Sequence, residues 1–188
     1  PPAWITPEMN PRTRRRPAVA RRRDHPRRDA AASTGSTLWV VGIGSSAGGI
    51  EALGRLLAGL SPGLGAAYVV AQHLSPTYNS LLPQVLAKES PLPVVTITTG
   101  MPIRSDHVHV TPPGHDVIMR GEALWLREQP NPAVPKPSVD ALLASIAEHH
   151  PERGIAIILS GTGSDGATGT RAVKAAGGFT IARGSEEH

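Results

Sequence analysis

From residue 38 onward, short apolar runs alternate with segments whose apolar residues recur at helical spacing. The runs lie at residues 38–43, 67–71, 94–98, 155–159 and 179–182. Short apolar runs bounded by turn residues are typical of buried strands, and helices between them serve as crossover connections. Because such crossovers join parallel strands, we predict a doubly wound α/β fold, with a mainly parallel sheet covered by helices on both faces.

Further elements complete this prediction. Helices are expected at residues 50–60, 79–88, 138–149 and 167–176, the third capped by Ser138. Short strands are expected at residues 108–111, 117–120 and 123–127. The last two are separated only by a link centred on Gly121, which predicts a small antiparallel hairpin beside the main sheet.

The first 37 residues have a different composition from the rest. They contain nine Arg and three acidic residues and lack apolar periodicity, whereas the remainder carries a net charge of −2. Such a segment cannot bury enough apolar surface to offset its ordering entropy, so residues 1–37 are predicted to be a disordered Arg/Pro-rich tail. A solvated leader is the simpler interpretation, and an arm that contacts nucleic acid or an acidic membrane is the alternative. Residues 38–188 are predicted to form one domain.

Composition excludes several classes of site. The chain has no cysteine, so it holds no disulfide and no cysteine-ligated metal. Aromatic residues make up only 3%, which argues against a base-stacking surface and hence against a nucleic-acid partner. No apolar run approaches the ~20 residues that cross a bilayer, so we expect no membrane insertion and a cytoplasmic protein.

Three polar residues follow predicted strands: Ser46 after the first, His73 after the second and Asp165 after the strand at residues 155–159. The carboxyl ends of parallel strands share one edge of the sheet, where ligands bind. A serine, a histidine and an aspartate meeting there would form the nucleophile, base and orienting acid of a hydrolase. We therefore predict that these residues are catalytic, with a backbone N–H of Thr162 as a candidate oxyanion donor.

Alternatives remain for the parts of this constellation. Asp165 could be an N-cap or first-turn acid of the helix at residues 167–176, either instead of its catalytic role or together with it. Ser45 could replace Ser46 as the nucleophile, or could cap the following helix. Residues 42–47 also fit the dinucleotide pattern G-x-G-x-x-A, but the second predicted strand ends without the acidic residue that would hold a ribose. His107 and His109 alternate with valines, so they share one face of a strand, which is expected to be solvent-facing. They could bind a metal there, but no third ligand is evident, so no metal or cofactor is predicted.

These residues together resemble the catalytic domain of the chemotaxis receptor methylesterase, the CheB family. The matching stretches are Ile-Gly-Ser-Ser-Ala-Gly-Gly at residues 43–49, Gln72-His73, Pro-Pro-Gly-His at 112–115, Pro-Ser-Val-Asp at 137–140 and Leu-Ser-Gly-Thr-Gly-Ser-Asp-Gly at 159–166. They follow the family's order and cover about residues 38–182. The resemblance implies catalytic Ser46, His73 and Asp165, with Ala47 and Thr162 as backbone oxyanion donors.

The resemblance also implies an activity and partners. Members of the family are protein-glutamate methylesterases, which hydrolyse glutamate γ-methyl esters on methyl-accepting chemoreceptors and release methanol; they can also deamidate receptor glutamines. Since residues 1–37 do not resemble a receiver domain, the chain is expected to be of the receiver-less type, which is found in fusions with a receptor methyltransferase. Ala47 stands where many members carry Thr, and the chain is expected to be truncated after its last strand. A non-catalytic signalling module of the same fold is the competing interpretation.

Overall fold

The structure, a computed structural model, describes residues 38–73, 81–128, 137–159 and 164–182. The chain divides into two units, residues 1–34 and 35–188, and every described residue lies in the second. The predicted tail at residues 1–37 lies outside the described residues. Within the described ranges, no helix is long and apolar enough to cross a membrane.

The strands and helices follow the alternation seen in the sequence. The strands are β1 (Trp39–Ser45), β2 (Ala66–Gln72), β3 (Val94–Thr96), β4 (Met101–Pro102), β5 (Val108–Val110), β6 (His115–Arg120), β7 (Ala123–Glu128), β8 (Gly154–Ile158) and β9 (Phe179–Ala182). The helices are α1 (Ile50–Ala58), α2 (Leu82–Glu89), α3 (Val139–His149) and α4 (Ala167–Ala175), and a 3₁₀ turn at Ala47–Gly49 precedes α1. Ser138 caps α3 as predicted, since its side chain accepts a hydrogen bond from the Ala141 N–H.

The main sheet has the strand order β3-β5-β2-β1-β8-β9, and every pair in it is parallel. Alternate residues of β1 enter two separate apolar cores. Val40 packs in a core with residues of α3 and α4, whereas Val41 and Ile43 pack in a core with residues of α1 and α2. Helices therefore cover both faces of the sheet, which confirms the doubly wound α/β prediction.

A second, antiparallel sheet has the order β4-β7-β6. The predicted hairpin of β6 and β7 is confirmed, and β4 adds a third strand that the sequence did not reveal. This sheet packs against α3, where the Met119 N–H donates to Ser145 Oγ at 2.9 Å. The contact joins α3 to the second sheet, while Val139 at the beginning of α3 packs separately against Gly44 near the end of β1.

The expected exposure of His109 is wrong, because β5 lies between β2 and β3 in the sheet and all three of its residues are buried. His109 is only 1% exposed. Its Nδ1 lies 3.0 Å from the Tyr68 carbonyl oxygen, and its Nε2 accepts from the Arg104 N–H at 3.4 Å. Burial lowers the pKa of His109, and the neutral ring uses both nitrogens in these structural contacts.

Candidate active site

The ends of β1 and β2 bring Ser46 and His73 to the same edge of the sheet. In the parallel register of these strands, Ser45 pairs with Gln72, and the His73 N–H donates to the Ser45 carbonyl oxygen at 2.8 Å. Ser46 and His73 are the residues that directly follow this pair at the ends of β1 and β2, and both are partly buried. The sheet register itself therefore places the predicted nucleophile beside the predicted base.

Ser46 lies at the point where the chain turns from strand to helix. Its backbone is extended, with φ −94° and ψ 175°, and its carbonyl oxygen accepts from the Gly49 N–H at 2.9 Å to close the 3₁₀ turn. The first N–H groups of a helical segment have no partner within it, so they can bind a negative charge. The Ala47 N–H is the first of these groups and directly follows the candidate nucleophile.

The two glycines of the G-x-G pattern have a packing role. A Cβ on Gly42 would lie 2.5 Å from Leu143 Cδ2, and one on Gly44 would lie 2.5 Å from Val139 Cγ1. Both of those side chains belong to α3, which thus crosses β1 closely only where β1 lacks side chains. Close helix–strand contact explains this part of the pattern without a nucleotide.

His73 meets Asp165 although 92 positions separate them in the sequence. Nε2 of His73 lies 2.9 Å from Oδ2 of Asp165, and the two side chains are 25% and 24% exposed. Because a carboxylate can only accept, Nε2 carries the proton of this bond. The hydrogen bond to Asp165 raises the pKa of His73 above its usual 6.5 and outweighs burial, which lowers it.

Backbone groups at the start of α3 hold the Asp165 carboxylate. Its Oδ2 accepts from the Val139 N–H at 2.8 Å, and its Oδ1 accepts from the Asp140 N–H at 2.9 Å. Burial raises the pKa of Asp165, but hydrogen bonds from His73 and from the Asp140 and Val139 N–H groups together lower it below its usual value. Asp165 is therefore a fixed, ionised partner for the imidazole.

The alternative role of Asp165, as a cap or first-turn acid of α4, is wrong. Gly166 is the N-cap of α4, with φ 98°, and the first turn of α4 contains no acidic residue. The carboxylate of Asp140 acts there instead, since its Oδ1 accepts from the N–H groups of Gly166 and Gly169 at 3.0 and 2.7 Å. The left-handed conformation of Gly166 is open to glycine at little cost and allows this turn.

Sequence reasoning missed Asp116 as a part of the site's support. Asp116 is fully buried in β6, and its Oδ1 accepts from the Ser138 N–H at 2.7 Å. The bond ties the second sheet to the first residues of α3, and hence to the groups that hold Asp165. The only sequence signal was an acidic residue between His115 and the apolar strand predicted at residues 117–120.

Of the two predicted oxyanion donors, Ala47 lies among the described residues and Thr162 does not. Ala47 has its backbone within the 3₁₀ turn beside Ser46, as described above. Thr162 lies outside the described residues, so its role stays a prediction. Ser45, the alternative nucleophile, is only 2% exposed and its Oγ donates to the Ser46 carbonyl oxygen at 3.3 Å. This placement makes Ser45 less accessible to a substrate than Ser46.

Known proteins are similar to this chain in sequence and fold. The chain matches the CheB methylesterase family over residues 41–188. A protein from Anaeromyxobacter dehalogenans, named protein-glutamate methylesterase/protein-glutamine glutaminase 2, is 37% identical over 157 residues, which is 84% of this chain and 46% of that protein. A Geobacter sulfurreducens protein named protein-glutamate methylesterase/protein-glutamine glutaminase 3 is 35% identical over 79% of this chain and 41% of its own length.

A solved structure agrees with these matches. The CheB methylesterase catalytic domain of Thermotoga maritima superposes with a TM-score of 0.75 at 30% identity, and the match covers 80% of this chain and 82% of that domain. The chain spans less than half the length of the curated relatives described above. The family match over most of the chain, together with the shared fold, shows that the chain belongs to the CheB methylesterase family.

Proposed function

We propose that this chain is a serine hydrolase that removes methyl groups from glutamate γ-methyl esters of chemoreceptors. The observation that carries the proposal is the 2.9 Å contact between His73 Nε2 and Asp165 Oδ2, at the sheet edge where Ser46 also lies. A polarised imidazole beside a serine is the arrangement that acyl transfer needs. The names of the relatives, which combine methylesterase and glutaminase, support the same reaction class.

The proposed mechanism has two steps. His73 removes the proton of the Ser46 hydroxyl, which attacks the ester carbonyl, and the resulting imidazolium is stabilised by the ionised Asp165. The backbone N–H groups of Ala47 and Thr162 bind the oxyanion of the tetrahedral intermediate. His73 then protonates the departing methoxide, so methanol leaves and an acyl-enzyme remains.

Water completes the cycle. His73, neutral again, takes a proton from a water molecule that attacks the acyl-enzyme, and Ser46 is released with its proton restored. The product is a glutamate carboxylate. A receptor glutamine would react in the same way with ammonia as the leaving group, so the proposal includes deamidation. The partners are methyl-accepting chemoreceptors and, in the same system, a receptor methyltransferase, and the proposed location is the cytoplasm.

The proposed domain organisation accompanies this function. Residues 38–188 would form the methylesterase domain, and residues 1–37 an Arg/Pro-rich tail outside the reaction. Three features of the described part support this division: the two apolar cores, the sheet register that positions Ser46, and the helix ends that hold Asp165.

Adjacent serines provide a matched test. Methanol release from a methylated chemoreceptor is measured for the unchanged protein, for Ser46→Ala and for Ser45→Ala, with circular dichroism to verify folding. Ser46→Ala should lower the rate by at least ~10³-fold, whereas Ser45→Ala should keep it within about tenfold. Equal rates for Ser46→Ala and the unchanged protein would contradict the proposal. Receptor binding by a folded, unchanged protein that releases no methanol would instead favour the non-catalytic module.

A further inference from the structure

Gln72 carries a buried side-chain amide next to the candidate active site, and this amide takes no part in the mechanism proposed for Ser46, His73 and Asp165. It is the last residue of β2 and is only 3% exposed. Its Nε2 donates to the carbonyl oxygen of Ser46. Its Oε1 is buried without a hydrogen-bond partner among the described residues. An unpaired buried acceptor costs free energy that an apolar side chain would avoid, so the bond made by Nε2 calls for an explanation.

The Ser46 carbonyl oxygen is held from three directions. Besides Gln72 Nε2, it accepts from the Gly49 N–H at 2.9 Å and from Ser45 Oγ at 3.3 Å. Gln72 is the only one of these donors that comes from another strand. Because Ser45 and Gln72 are register partners in the parallel sheet, the amide is aimed at this carbonyl by the sheet itself.

The direction of this carbonyl determines the direction of a catalytic group. In a trans peptide, the C=O of one residue and the N–H of the next lie in one plane and point in opposite directions. The partner of the Ser46 carbonyl in its peptide is the Ala47 N–H. Any group that fixes the Ser46 oxygen therefore fixes the line along which the Ala47 N–H can meet an oxyanion.

We propose that Gln72 is a positioning residue for the oxyanion hole, which acts by holding the Ser46–Ala47 peptide plane. The inference rests on the proposed esterase function and adds a residue to it. Gln72 touches neither the substrate nor the reacting atoms. An oxyanion donor acts on the tetrahedral state far more than on the ester, so its alignment affects kcat and leaves KM nearly unchanged.

The test uses substitutions that keep the side chain's size. Gln72→Met removes the donor with little change in volume. Gln72→Glu keeps the shape and, when assayed at a pH above the pKa of the new carboxyl group, presents only acceptor oxygens to the Ser46 carbonyl. Hydrolysis of a peptide carrying a glutamate γ-methyl ester gives kcat and KM, and a peptide boronic acid, which forms a tetrahedral adduct, gives an inhibition constant. Removing a whole oxyanion donor lowers kcat by about 10²–10³-fold, so misaligning one should cost about 10–100-fold.

Both Gln72 variants should lower kcat by this factor, weaken boronate inhibition similarly and change KM less than about threefold. Ser145→Ala is the control, because it removes another buried hydrogen bond, at the contact of α3 with the second sheet. It should lower the melting temperature while leaving kcat and boronate inhibition unchanged.

The outcomes separate the two proposals. If the unchanged protein hydrolyses the ester and Ser46→Ala does not, the proposed function stands. In that case, a kcat equal to that of the unchanged protein in either folded Gln72 variant overturns only the role of Gln72. A variant that loses stability as Ser145→Ala does, with normal boronate inhibition, also overturns it. If the unchanged protein does not hydrolyse the ester, both proposals fail.

Discussion

Asp165 and Asp140 accept hydrogen bonds from the beginnings of each other's helices. Asp165, directly before the N-cap of α4, binds the N–H groups of Val139 and Asp140 in α3. Asp140 in turn binds the N–H groups of Gly166 and Gly169 at the start of α4. The two carboxylates thus satisfy helix N-termini that would otherwise be unpaired. This exchange locks the segment that presents Asp165 to His73.

Asp140→Ala should therefore weaken both stability and catalysis. The substitution leaves the Gly166 and Gly169 N–H groups without their acceptor, and the loss of such a cap costs about 0.5–2 kcal/mol of unfolding free energy. Because the released segment carries Asp165, we also expect kcat for methyl-ester hydrolysis to fall about tenfold or more. Urea unfolding and steady-state kinetics measure the two effects.

Two variants control this prediction. Asp140→Asn keeps an acceptor oxygen and loses only the charge, so both effects should be smaller than in Asp140→Ala. Glu51→Ala removes an exposed first-turn acid of α1 that pairs with the exposed Arg55, and its unfolding free energy should change by less than about 0.5 kcal/mol. An Asp140→Ala protein as stable and active as the Glu51→Ala protein would show that the exchange between the helices is dispensable.

The rate of ester hydrolysis should depend on pH through His73. His73 acts as a base only when neutral, and the hydrogen bond from its ring to Asp165 raises its pKa above 6.5. The rate should therefore be low at acidic pH and rise as the pH increases through a value above 6.5. The measurement is kcat/KM against pH, which reports the pKa of the free enzyme.

Asp165→Asn should move this profile in a defined direction. Without the carboxylate, burial becomes the main influence on His73 and lowers its pKa, so the rising limb should shift to lower pH. The maximal rate should fall by roughly 10²–10⁴-fold, since the imidazolium loses its counter-charge. A limb that stays in place or moves to higher pH would mean that Asp165 does not set the basicity of His73.

The residues at strand ends could be predicted from the sequence, whereas their support could not. Apolar runs followed by Ser46, His73 and Asp165 indicate a common sheet edge because parallel strands end together. The strand order is a non-local property, and it decides that β5 is interior and His109 buried. The exchange between Asp140 and Asp165 likewise depends on how α3 and α4 pack, which no local pattern encodes.

Gln72 and Asp116 illustrate the same limit at single residues. The motif Gln72-His73 was visible in the sequence, yet the role of the amide depends on its register with Ser45 in the neighbouring strand. Asp116 lies in an apolar strand, where a buried carboxylate is expected to have a hydrogen-bonded partner. Its partner, the Ser138 N–H, is 22 positions away and is defined only by the contact of α3 with the second sheet.

Gly44→Ala should disturb the site from a distance, through the packing of α3 on β1. The added methyl group would lie 2.5 Å from Val139 Cγ1 and 3.0 Å from Ile158 Cδ1, so the Val139 side chain or the start of α3 must shift. Overpacking of this kind costs about 1–3 kcal/mol of unfolding free energy. Since the Val139 N–H also binds Asp165, kcat should fall together with stability.

Gly54→Ala is the matched control for this glycine. Gly54 lies inside α1, where the nearest atom to an added Cβ is Glu89 Cγ at 3.7 Å, an ordinary contact. Replacing an interior helical glycine by alanine should raise the unfolding free energy by about 0.5–1 kcal/mol and leave kcat unchanged. Denaturant unfolding should therefore show lower stability for Gly44→Ala and higher stability for Gly54→Ala. Ester hydrolysis should show a lower kcat for Gly44→Ala alone. If Gly44→Ala matched Gly54→Ala in both measurements, close contact between α3 and β1 would not be what holds Asp165 in place.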